Sequence, residues 1–249
     1  MGVSSEPTAL LSPLPRADGS AEFSHNGYTV LGAVNGPIEV QRRDELPEEA
    51  AIDVIVRPAA GVGGTRERHL EAILQSTLRQ IIHIHNFPRT LIQITLQITN
   101  TPENYNAWSK LVQASSNLPL LPALLQTSVL TLLSASIPLS MTMNSVLLAL
   151  NDTEAGRSII ENPTPVHCQD ATSIHVFAFT SHGDLLVAES EGPFELDDWE
   201  EVFDYAKRLC CDGKSGADDV MEEDKESDLM MFVKSAVQEK VANDLHWKG

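Results

Sequence analysis

Cysteine is scarce in this chain of 249 residues, and the three present, Cys168, Cys210 and Cys211, are odd in number and poorly spaced for a disulfide framework. Adjacent Cys210 and Cys211 cannot easily pair with each other, so reduced thiols fit best. Aromatic residues make up only 5% of the chain, so the core must be built from Ile, Leu, Val and Ala. No apolar run is long enough to span a bilayer: the stretch from Leu118 to Leu139 is broken by Pro119, Pro122, Gln126 and several Ser and Thr. The first residues lack a basic segment followed by an apolar one, which argues against secretion. Basic residues are also few, 17 against 35 acids, and the net charge of −18 argues on its face against a nucleic-acid partner.

The charge is uneven, however. Segments 189–204 and 212–228 together hold 16 of the 35 acids, whereas Arg42, Arg43, Arg57, Arg66, Arg68, Arg79 and Arg89 cluster in the first half. An acidic protein can therefore carry a locally basic surface.

Residues 18–37 are the most informative stretch. Asn26-Gly27 is a strong two-residue hairpin signal, because both turn positions need positive φ. On the second strand Tyr28, Val30, Gly32 and Val34 face one way and Thr29, Leu31 and Ala33 the other, up to a stop at Gly36-Pro37. Residues 1–15, with Pro7, Pro13 and Pro15, read as an extended lead-in, and Val54–Arg57 as a third strand. A helix from Thr65 places Leu70, Ile73, Leu74, Thr77, Leu78, Ile81 and Ile82 on one face and ends at Asn86-Phe87-Pro88. In residues 91–98, Ile92, Ile94, Leu96 and Ile98 alternate with Gln and Thr, which predicts a strand. Segment 100–117 reads as an insertion, 120–135 as an apolar helix and 143–150 as a strand. A hairpin of 174–180 with 185–190 follows, then a helix over 196–211, an acidic loop at 212–228 expected to be disordered, and a last helix over 229–245.

This order of elements, with Arg16-Ala17-Asp18-Gly19-Ser20, Arg66-Glu67-Arg68 and Pro88-Arg89-Thr90 at its joints, resembles the RNase PH family of phosphorolytic 3′ exoribonucleases and their relatives. The resemblance runs from about Arg16 to the last residue. It implies an α/β (α+β) fold: a single RNase PH-type domain over 16–249, with mixed β-sheets packed with helices in a βαβα arrangement.

Phosphorolysis needs cations to hold inorganic phosphate and carboxylates for metal or acid–base work. Active relatives carry an Asp-Gly-Gly-Thr-Arg turn ahead of the apolar helix and an aspartate at the start of the strand that here begins near Ile174. This chain has Ser115-Ser116-Asn117-Leu118-Pro119-Leu120 at the turn and Ile174 at the aspartate position, with Asp170 four residues earlier, Glu161 and Asp152 further off, and Lys110 the nearest upstream base. The expectation is a chain with no catalytic residues, no metal and no cofactor. It would be a subunit of the six-membered RNA exosome ring, scaffolding the complex and threading RNA for 3′–5′ degradation and rRNA processing. Its partners would be the other RNase PH-like ring subunits, RNA-binding cap subunits, a separate catalytic nuclease and RNA, with no membrane; its location would be the nucleus, nucleolus and cytoplasm. Arg66 and Arg68, at the start of a helix whose positive dipole end favours anions, are the candidate RNA contacts; the competing reading pairs them with Glu67, Glu71 or a neighbouring subunit.

Two other functional classes stay open: an active phosphate-dependent exoribonuclease whose site is misread across the insertion, and a free-standing homo-oligomeric RNA-binding protein. Gly213-Lys214-Ser215 lacks the first glycine of a P-loop, Gly61-Val62-Gly63-Gly64 lacks dinucleotide spacing, and His83 and His85 point to different faces of a helix end. All three read as ordinary connections.

Overall fold

The computed structural model describes residues 7–43, 45–102, 117–153, 156–211 and 229–246. The predicted hairpin forms β2 (Gly19–His25) and β3 (Tyr28–Glu39). Asn26 and Gly27 take φ of 52° and 81°, as a two-residue loop matched to strand twist demands. Tyr28, Val30, Gly32 and Val34 are buried. The expected stop at Gly36-Pro37 is not an end: β3 continues to Glu39 through a bulge, pairing Asn35 with Gln93 and then Ile38 with Leu91. Gly36 (φ 146°) is required there, because a Cβ would lie 2.8 Å from the Leu91 carbonyl oxygen. Asp18 Oδ2 accepts a 2.8 Å hydrogen bond from the Gly36 N–H and ties the two ends of the motif together.

The lead-in adds a short edge strand, β1 (Thr8–Leu11), paired antiparallel to β2. The third strand starts earlier than its sequence suggests, as β4 (Ala51–Arg57). It lies parallel to β5 (Thr90–Asn100), and the connection is α1 (Thr65–Ile81). A parallel pair needs such a crossover. The first sheet thus has the order β1-β2-β3-β5-β4. Its buried face carries Phe23, Val30, Val34, Val54, Ile94 and Leu96 in one core with Leu70, Leu74, Leu78 and Ile81 of α1, which packs chiefly on β4, while the helix over residues 121–134 covers β2 and β3.

The second sheet is wholly antiparallel, in the order β7-β6-β8-β9, from β6 (Met143–Thr153), β7 (Gly156–Glu161), β8 (Ser173–Thr180) and β9 (Leu185–Glu191). Between the sheets runs α2 (Leu121–Ser134), in which every residue but Leu133 is buried. A helix apolar nearly all round belongs in such a place. The outer face of the second sheet is covered by α4 (Leu196–Cys211), where Val146, Leu148, Phe177, Phe179, Val202 and Ala206 make a smaller core. A short helix, α3 (Pro165–Asp170), precedes β8, and α5 (Leu229–Asp244) packs against β1, α2 and β6. Neither β7 nor α3 is read from the sequence. The predicted insertion lies almost entirely outside the described residues, as does the acidic loop.

Candidate functional site

The hairpin motif that opens the chain is structural. A Cβ on Gly19 would lie 2.4 Å from the Ala135 backbone nitrogen, so only glycine lets β2 meet the end of α2. The Ser20 hydroxyl accepts from the Leu14 N–H at 2.9 Å, and the Ser20 N–H reaches Ser134 Oγ at 3.4 Å. With Asp18 holding Gly36 of β3, each residue of Asp18-Gly19-Ser20 ties the start of β2 to another part of the chain.

The site expected to hold phosphate is a cleft of about 250 Å³ at one end of the second sheet. Four segments build it. Pro119 lies in the single 3₁₀ turn of Leu118–Leu120 before α2; Pro165, Cys168 and Gln169 come from α3; Ala171 to Ile174 lead into β8; and Glu191 and Gly192 end β9. Tyr28, at the start of β3, closes it from the first sheet. Gly192 (φ 102°) allows the closest approach, since a Cβ would lie 2.5 Å from the Thr172 carbonyl oxygen.

The cleft's charge is the reverse of what phosphate needs. Among the described lining residues there is no Lys, Arg or His, and the one carboxylate is Glu191. Ile174 stands in the wall, 8% exposed, where the resemblance calls for an acid. The two nearest acids that precede it in the sequence are elsewhere: Asp170 is exposed at the end of α3, and Glu161 on β7 accepts a hydrogen bond from the Tyr205 hydroxyl of α4. Burial pushes the Cys168 thiol up to about 11, so it stays protonated and is a poor nucleophile. Behind the cleft, buried His175 bonds Ser173 Oγ through Nε2 (2.9 Å) and Ser190 Oγ through Nδ1 (2.8 Å), which satisfies both ring nitrogens. Burial holds its pKa below the ordinary histidine value, and Asp198 opposes that shift. Among the described residues no three His, Cys, Asp or Glu side chains stand close enough to hold a metal.

Arg66 and Arg68 sit in the first turn of α1. Arg68 has a side chain 84% exposed, with Nε 4.0 Å from Glu71 Oε2. Glu67 accepts from the Gly64 N–H at 2.6 Å, completing the helix start, and Glu71 accepts from the Val56 N–H at 2.9 Å through Oε1 while its Oε2 faces Arg68. Arg66 is half-buried. Because α1 follows the end of β4, and Tyr28 and Asn100 lie at the same end of β3 and β5, both arginines stand at the same end of the first sheet as Tyr28. Sequence reasoning missed the α3 contribution. Thr164-Pro165 was the available signal, an N-cap hydroxyl that accepts from the His167 N–H followed by proline in the first turn.

The model of the 3′ exoribonuclease family, domain 1 (RNase PH), matches residues 10–155. The Saccharomyces cerevisiae exosome complex component RRP46 is 34% identical over 209 residues, 81% of this chain and 89% of that protein. Over a shorter stretch, 34% of this chain and 38% of its relative, the Schizosaccharomyces pombe exosome complex component rrp46 is 40% identical. The crystal structure of rice Rrp46 superimposes with a TM-score of 0.67, covering 82% of this chain and 87% of that one at 24% identity, which supports the fold. The hairpin, the parallel crossover, the enclosed α2 and the antiparallel second sheet are thus those of a known architecture, and the chain belongs to the RNase PH family.

Proposed function

We propose that this chain is a non-catalytic RNase PH-like subunit of the RNA exosome ring, scaffolding the complex and helping to thread RNA towards a separate nuclease for 3′–5′ degradation and rRNA processing. The observation that carries the loss of catalysis is the cleft itself. Its described wall has no cation to hold orthophosphate and a branched aliphatic at position 174. A trianion-like transition state there would meet Glu191 and no compensating charge among the described lining residues, and such electrostatic support is ordinarily the largest single contribution to catalysis. The ring assignment is supported by the similarity to exosome components along most of the chain. Other RNase PH-like subunits, RNA-binding cap subunits and RNA follow as partners, and the nucleus, nucleolus and cytoplasm as the places to look for it. Arg66 and Arg68 are the residues proposed to touch RNA.

The test is phosphorolysis. The full chain, alone and assembled with its ring partners, is incubated with single-stranded RNA and inorganic phosphate. No nucleoside diphosphate release is expected above that of a ring lacking this subunit; release that depends on this chain overturns the reading. Light scattering separates the remaining class, because a stable homo-oligomer that ignores the other ring proteins is not an exosome subunit.

A further inference from the structure

The cleft that suits phosphate so poorly is well matched to the opposite charge. Its only described carboxylate, Glu191, stands at the end of β9 beside Gly192, and no described cation is paired with it. Around it are apolar surfaces from Pro119, Pro165 and Ile174, the ring of Tyr28, and the neutral amide side chain of Gln169. At about 250 Å³ the space lies just below the range of ~300–1,000 Å³ used by drug-sized ligands and suits a single side chain or a small amine. A compact ammonium is strongly hydrated and would lose that hydration against proline and isoleucine. A guanidinium is weakly hydrated, planar and suited to aromatic and apolar walls, and it can present two parallel N–H groups to one carboxylate.

We infer that this cleft is a binding site for an alkylguanidinium, either a free small molecule or the arginine side chain of a partner protein, with Glu191 as its anion. This assignment rests on the reading of the cleft as one that does not take phosphate, and it goes beyond that reading by naming what does bind.

The experiment is calorimetric titration of the full chain with agmatine, with N-acetyl-arginine methylamide, with butylamine and with inorganic phosphate. Saturable binding of agmatine is expected at one site, at least tenfold weaker for butylamine and absent for phosphate. Glu191→Gln is expected to weaken agmatine at least tenfold. Glu189→Gln removes the same charge from the same strand outside the cleft and is expected to change affinity less than twofold. Equal binding of the capped arginine assigns the site to a partner's side chain, whereas agmatine binding alone assigns it to a free ligand. The inference is overturned by no saturable agmatine binding, by equal losses in the two variants, or by phosphate displacing agmatine. Nucleoside diphosphate release in the phosphorolysis assay would overturn the proposed function while leaving this titration to be judged by its own curves.

Discussion

Gln126 carries the clearest residue-scale anomaly. It is 2% exposed in the middle of α2, and neither Oε1 nor Nε2 has a hydrogen-bond partner. A buried unpaired amide costs roughly 1–3 kcal/mol. Gln126→Leu, close in size and without polar atoms, should therefore raise the urea midpoint, by about 1–3 kcal/mol in unfolding free energy. A fall in stability would mean the amide is satisfied by an internal water or another group. From sequence, Gln126 is legible only as an interruption of the apolar run; its isolation depends on α2 being enclosed by both sheets. His175 makes a second test. Its folded pKa is depressed by burial, as is that of His25, so the unfolded chain takes up protons first as pH falls. Stability should then rise with pH up to the unfolded histidine value of about 6.5 and level off above it, each group contributing a slope of at most about 1.4 kcal/mol per pH unit. His175→Asn should flatten thermal stability between about pH 5 and 6.5; an unchanged pH profile would remove His175 from that account.

At the scale of elements, what was readable follows how much of each element's packing is written in its own period. Helix α1 and strand β5 bury one face each, so their spacing of 3.6 and 2 is explicit in Leu70, Ile73, Leu74, Leu78 and in Ile92, Ile94, Leu96. Strand β7 is a six-residue edge element with no alternation, and β1 is four residues on the opposite sheet's edge; their pairing is set by β6 and β2, which a local reading does not include. The contact of β3 with α2 shows the same non-locality. A Cβ on Gly32 would lie 2.9 Å from the methyl groups of both Thr127 and Thr131. Gly32→Ala should thus cost about 1–3 kcal/mol by overpacking, despite the usual gain in strand preference. Adding Thr127→Ser and Thr131→Ser, which delete the two methyls and keep the hydroxyls, should recover part of that loss relative to the serine pair alone. Additive penalties in that cycle would place the strain elsewhere.

Over the whole molecule, charge is segregated along the fold as it is along the sequence. Arg57, Arg66 and Arg68 share the sheet end at which α1 begins, while Asp197, Asp198, Glu200, Glu201 and Asp204 lie on α4 across the second sheet. Composition alone argues against RNA, but net charge averages over surfaces that face different ways. The sequence set Arg57, Arg66 and Arg68 close together along the chain. It did not reveal the acidic, partly apolar cleft, which is assembled from four segments between Tyr28 and Gly192. If Arg66 and Arg68 contact the RNA backbone, each neutralised phosphate contributes about 0.7 to the slope of log affinity against log salt for a single strand. Arg66→Ala with Arg68→Ala in the assembled ring should lower that slope by about 1.4 and weaken RNA binding alike for all sequences. Charge reversal at Glu200 and Glu201, remote from that edge, should leave the slope within error if threading is local. A slope that follows net charge in both variants would instead mean that RNA senses only the overall field, and the two arginines would then be surface ion-pair residues of the Arg68–Glu71 kind.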